Sequence, residues 1–144
     1  IVHLWKRLEA DAAARLGGDF HLPLPCTLAD PRCRRELIYR DVSRAGRGFE
    51  CTVCGERVPL HGGILTQNWV YGTARDVLAS AWLRLAAAGF RPVLCVHDEL
   101  VFEVPEASAH ADLTKIISIM EQPLAWAEGL PLRVSGKLMS RYGK

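Results

Sequence analysis

No apolar run in the 144-residue chain approaches the roughly 18 residues that a membrane-spanning helix requires. A membrane protein is therefore not expected. Also lacking is a leader with a charged start, an apolar core and a small-residue cleavage site, so a cytoplasmic location is expected. Repeats, heptads and low-complexity tracts are missing too, which argues against solenoid and coiled-coil architectures. Neither sign of charge dominates: the net charge is +2 and the pI about 8.4, so composition alone does not call for nucleic acid. The five cysteines are an odd number, and without a secretory signal a disulfide framework is not expected.

What the chain does have is 49% hydrophobic and 24% charged residues, the balance of an ordinary globular domain. At this size a chain buries roughly two thirds of its extended-chain surface. The sequence opens at Ile1, inside what reads as a helix, so it is expected to be a piece of a longer protein.

In residues 1–16, Val2, Trp5, Leu8, Ala12 and Leu16 recur at helical spacing, and Gly17-Gly18 ends the run. Residues 19–60, rich in Pro, Gly, Arg and Cys, predict a small, irregular β-subregion with strands at Phe20–Leu24, Glu36–Val42 and Phe49–Val53. The longest helix is predicted over Ile64–Ala88, with Val70, Ala74, Val77, Leu78, Ala81, Leu85 and Ala88 as its apolar stripe and Gly89 as C-cap. A hairpin follows over Val93–Val104. Next come a helix over Ala109–Met120 with Ser108 as N-cap, a short helical piece over Leu124–Glu128, a strand over Leu130–Val134 and a polar tail over Ser135–Lys144. This order predicts a single α+β domain built on an antiparallel sheet, with the hairpin packed on the long helix.

The hairpin carries the strongest chemical signal. Val93–Val96 and Leu100–Val104 are strand-forming runs broken only by His97-Asp98-Glu99, without the Asn-Gly or Gly-rich pair that tight turns favour. Two adjacent carboxylates repel each other and prefer a cation beside them, and hard oxygen ligands suit Mg²⁺ or Mn²⁺. Asp98 is the leading candidate ligand. Glu99 is read either as an outer ligand or as an exposed acid. On the long helix, Gln67, Asn68, Tyr71 and Arg75 follow one another at i, i+3 and i+4 spacing and would line one surface, suited to minor-groove acceptors or simply to solvent. Arg75 and Asp76 are also read as a buried pair fixing helix to hairpin.

The stretch Val96-His97-Asp98-Glu99-Leu100-Val101-Phe102-Glu103-Val104-Pro105 resembles the palm-domain hairpin of family A DNA polymerases. Gly62-Gly63-Ile64-Leu65-Thr66-Gln67-Asn68 through Thr73-Ala74-Arg75-Asp76-Val77 resembles the helix that precedes it in bacteriophage members, in the same order. The resemblance is specific over residues 62–105 and looser elsewhere. It implies the C-terminal part of a polymerase palm with a palm-type sheet, acting in template-directed DNA synthesis on primer-template DNA and deoxynucleoside triphosphates. It further implies Mg²⁺ (or Mn²⁺) at Asp98, with Glu99 beside it. His97 is implied to lie against the primer terminus, and Gln67, Asn68, Tyr71 and Arg75 to approach DNA. If phage-encoded, such a protein works in the host cytoplasm. Two departures are visible. Members usually carry Gln where this chain has Tyr71, and a phenol cannot copy an amide's paired donor and acceptor. An earlier palm-strand Asp and an Arg/Lys-rich fingers helix are not present in these residues, so the missing N-terminal polymerase portion is expected in cis or in trans.

Cys51-Thr52-Val53-Cys54-Gly55 has the form of a zinc knuckle, with Cys26 and Cys33, or His21 and His61, as further ligands to a structural Zn²⁺. Reduced structural thiols are the other reading. Cys95 is expected in the core. A non-catalytic zinc-knuckle module for nucleic-acid binding or assembly is the alternative function.

Overall fold

Leu8 and Ala12 lie one turn apart and are the buried positions of the first helix, α1 (Val2–Ala13), which puts a narrow apolar stripe on the core. The structure, a computed structural model, describes residues 2–29 and 31–143, the side chains of Leu28, Ala29 and Pro31 excepted. It is α+β, and it divides into two compact units, residues 1–74 and 75–144. The boundary falls inside one long helix.

In the first unit, α1 leads into strand β1 (Gly18–Pro23) and a short helix α2 (Pro25–Ala29), followed by a 3-10 turn over Pro31–Cys33. Strands β2 (Glu36–Ala45), β3 (Gly48–Val53) and β4 (Glu56–Leu60) complete an antiparallel meander in the order β1-β2-β3-β4. The expected β-subregion is a four-stranded sheet with irregularities in two of its pairings, and β4 is a strand the sequence did not announce. Its Pro59 is tolerated because β4 is an edge strand. Phe20, Leu22, Tyr39, Val42, Cys51 and Leu60 from the sheet, Leu8 and Ala12 from α1, and Leu65 from the next helix form the core.

The ladder is interrupted twice, once between β1 and β2 beside Gly18 and Phe20 and once between β2 and β3. Between the pairs Arg40↔Thr52 and Ser43↔Glu50, two β2 residues face one β3 residue, a bulge that bends the strand. Asp41 takes the left-handed conformation there, with φ of 51°, and the extra residue turns Val42 fully into the core.

Helix α3 (Gly62–Ala87) begins two residues before the predicted start. Its first turn is capped by His61, whose carbonyl accepts from Leu65 N at 3.1 Å and whose Nδ1 accepts from Ile64 N at 3.4 Å. In the first unit Leu65 is fully buried, while Val70 and Ala74 of the expected stripe are exposed.

The second unit takes α3 from Arg75, with Ala81 and Leu85 buried one turn apart and Ala88 exposed. The helix stops at Gly89 as expected: its φ is 91°, and Phe90 N donates to Leu85 O at 2.9 Å, which closes the terminal carbonyls. The Phe90 ring then meets Phe102 edge-on, with centroids 6.4 Å apart. Strands β5 (Leu94–Val96) and β6 (Glu99–Val101) form the predicted hairpin, and among the described residues no other strand pairs with it. Cys95, expected in the core, is exposed in the three-residue strand β5.

Helix α4 (Ala109–Met120) has the predicted bounds. Ser108 occupies the N-cap position but does not bond the helix amides; its hydroxyl bonds Pro105 O at 3.2 Å and Asp112 Oδ2 at 2.7 Å. The short helical piece is a 3-10 turn over Ala125–Ala127. No strand forms over Leu130–Val134: Pro131 has no N–H to give, and Val134 N donates to Glu121 Oε1 at 2.9 Å rather than to a strand. The expected polar tail is not loose. At Gly136 a Cβ would lie 2.5 Å from a Leu113 methyl and 3.1 Å from one of Ile117, so the chain passes directly over α4.

Candidate active site

The hairpin places its polar triplet by turn geometry. Val96 pairs with Glu99, leaving His97 and Asp98 as a two-residue turn. His97 has φ of 55°, a conformation that costs most residues energy and that His, Asn and Asp adopt more readily than others. Residues that looked wrong for a tight turn therefore include one suited to it. Both His97 and Asp98 are exposed, and among the described residues no hydrogen bond or ion pair engages the Asp98 carboxylate.

Glu99 is held from the other end of the unit. Tyr142 Oη donates to Glu99 Oε2 at 3.2 Å, so the C-terminal segment reaches back to the hairpin. Loss of surrounding water, then the hydrogen bond and charge of Glu99, push the Tyr142 phenol above its ordinary range. Sequence reasoning missed this residue, since a contact between positions 43 residues apart leaves no local pattern.

On α3 the first-unit residues divide. Gln67 and Tyr71 are exposed and one turn apart, with Gln67 Nε2 donating to Tyr71 Oη at 3.3 Å. Asn68 turns inward instead: its Nδ2 donates to the buried Tyr39 Oη at 3.2 Å. Burial raises the Tyr39 pKa, and the Asn68 bond opposes that shift. In the second unit Arg75 is exposed while Asp76 is buried at 8% exposure, so the two are not the buried pair that was expected; successive helix positions point about 100° apart.

The cysteines separate as well. Cys51 lies in the core at 1% exposure, and burial raises its thiol pKa. Cys54 is exposed at the β3–β4 turn. There Val53 pairs with Glu56, and Cys54 and Gly55 both take positive φ, 50° and 85°. That is the two-residue turn whose twist matches a hairpin, and it accounts for the glycine without a metal. Cys33 Sγ lies 3.1 Å from Cys26 Sγ. Among the described residues no three His, Cys, Asp or Glu side chains are placed to hold a metal ion, so Cys26, Cys33, Cys51 and Cys54 do not assemble a zinc site. The same holds at the hairpin tip, where Asp98 and Glu99 do not by themselves complete a magnesium centre.

Among the described residues no helix is long and apolar enough to cross a membrane. No protein-family model matches the chain, and no solved structure matches it. Over 88 residues, 61% of its length, the chain is 43% identical to the DNA polymerase of Bacillus phage SP02, of which the matched stretch spans only 13%.

Proposed function

We propose that this chain is the C-terminal palm portion of a phage-type family A DNA polymerase, working in template-directed DNA synthesis in the host cytoplasm. The observation that carries the reading is the 43% identity to a phage DNA polymerase, joined to a hairpin that holds His97 and Asp98 at an exposed two-residue turn. The reaction is attack of a primer 3′-hydroxyl on a deoxynucleoside triphosphate with release of pyrophosphate.

Within it, Asp98 offers exposed carboxylate oxygens at the hairpin tip. Its neighbour Glu99 is steadied by Tyr142. His97 presents an imidazole beside the primer terminus, and Gln67, Tyr71 and Arg75 present exposed donors to DNA. Asn68 acts less directly, by fixing α3 to the sheet through Tyr39. Because the tip carries too few carboxylates for a metal pair, a further Asp and the triphosphate-gripping helix come from another part of the polymerase, in cis or in trans. The relative is consistent with this, since the matched stretch is a small fraction of its length. A zinc-organised module has no convergent ligand set in its favour among the described residues.

Primer extension by a reconstituted polymerase tests the reading. Joined to an N-terminal portion of the relative's type, the chain should extend a primer, and Asp98→Asn should lower kcat at least about 100-fold, the scale of losing a key electrostatic group. Full activity of Asp98→Asn would remove the assigned role.

A further inference from the structure

The Cys26–Cys33 pair lies outside the site described above. Cys26, in α2, is buried at 7% exposure; Cys33, at the end of the following 3-10 turn, is exposed. Their sulfurs are 3.1 Å apart, and no disulfide joins them. The backbone holds them in register from both sides. Leu24 N donates to Arg35 O at 2.9 Å, and Thr27 Oγ1 donates to the same carbonyl at 2.7 Å. The loop is thus closed at its base whether or not the sulfurs are bonded, so forming a bond between them demands little further ordering of the chain.

We infer that Cys26 and Cys33 are an oxidative modification site, a dithiol that converts reversibly to an intramolecular disulfide. The asymmetry of exposure sets the order of events. A disulfide oxidant such as oxidised glutathione meets Cys33 first: the Cys33 thiolate, its proton lost to water, attacks one glutathione sulfur, breaks the S–S bond and expels one glutathione thiolate. The Cys26 sulfur, after losing its own proton, then attacks the Cys33 sulfur, forms the Cys26–Cys33 bond and expels the second glutathione thiolate. Both thiolates take up a proton, so two protein thiols and one oxidised glutathione become one protein disulfide and two glutathione thiols. The other exposed cysteines, Cys54 and Cys95, have no thiol beside them among the described residues, so glutathione placed on them has no neighbouring thiol to displace it.

The bond would reach below the helix that carries Gln67, Asn68 and Tyr71. Leu24, at the base of the loop, is fully buried, and its side chain lies against Gly72, where a Cβ would come within 3.0 Å of it. Oxidation therefore ties the loop to a residue that supports α3.

The test uses the full chain with Cys54→Ser and Cys95→Ser, which leaves three of the five cysteines. After incubation with oxidised glutathione, the thiols titrated in denaturant should fall from three to one. The intact mass should drop by about 2 Da, peptide mapping should join Cys26 to Cys33, and dithiothreitol should reverse all three changes. Adding Cys33→Ser should leave the buried Cys26 unmodified under the same conditions. A count that stays at three, a lasting glutathione adduct on Cys33, a link to Cys51, or bound zinc that protects the pair would each overturn the inference.

Discussion

Trp5 sits on Gly62. A Cβ added at Gly62 would fall 1.5 Å from Trp5 Cδ1 and 2.6 Å from Trp5 O, the second a backbone atom that cannot move without shifting α1. The first glycine of the Gly62-Gly63 pair is therefore required by packing, whatever DNA does nearby. Gly62→Ala should destabilise the first unit by about 1–3 kcal/mol, the usual cost of overpacking, read as a lower Tm with unchanged helix content. A second test at this scale concerns Cys51 and Tyr39, whose pKa values are both raised chiefly by burial. A group with a raised folded-state pKa contributes stability that is complete below its unfolded pKa and lost as pH climbs through the folded one. Stability should therefore be flat near neutrality and fall from above about pH 9, where an unfolded thiol ionises first and the phenol follows. Cys51→Ala, for all its packing cost, should flatten the onset of that decline in urea melts taken across pH, leaving the later part to the phenol.

Among elements, the β2 bulge depends on one arginine. Arg57 on β4 donates through Nη1 to Asp41 O at 2.7 Å, Asp41 Oδ2 at 2.8 Å and Thr52 Oγ1 at 2.8 Å, and through Nε to Glu50 Oε1 at 3.0 Å. It also bonds Ser43. A guanidinium's fixed fork of donors suits such a cluster where an ammonium does not. Asp41 N is held from the other side by Asp19 Oδ1 at 3.0 Å. Arg57→Lys should recover little of what Arg57→Ala loses, and the alanine variant should cost about 1–2 kcal/mol, reduced by partial exposure to water. Faster amide exchange confined to β2 and β4 would be the signature; an unchanged exchange pattern would mean that the bulge holds without Arg57.

For the molecule as a whole, the proposed function predicts dependence on another polymerase portion. On the proposed reading, Asp98 and Glu99 would need further carboxylates to hold two catalytic cations about 4 Å apart. The purified chain alone should not extend a primer, and it should bind DNA weakly and lose that binding steeply as salt rises. Template-dependent incorporation by the isolated chain would refute the reading that another polymerase portion is needed.

Some of this was legible residue by residue. Helix α4, the Gly89 stop and the hairpin around His97-Asp98-Glu99 follow from local signals: apolar spacing, a glycine able to take positive φ, and β-branched runs flanking a break. The identity with a phage polymerase agrees with the motif reading at the coarse level of DNA polymerase. Other features were decided only by pairing and packing. The Cys54-Gly55 dipeptide reads alike as half a zinc knuckle or as a hairpin turn, and only the Val53↔Glu56 pairing selects the turn. Asn68 and Gln67 look equivalent on a helix, yet the phenol of Tyr39, 29 residues earlier, draws Asn68 inward. Tyr142 meets Glu99, and Cys33 meets Cys26, because the chain folds back on itself. A sequence determines the periodicity of its own segments by sterics and hydrophobicity acting over a few residues. Which polar groups become partners depends on where distant segments arrive, and that is settled by burial in three dimensions.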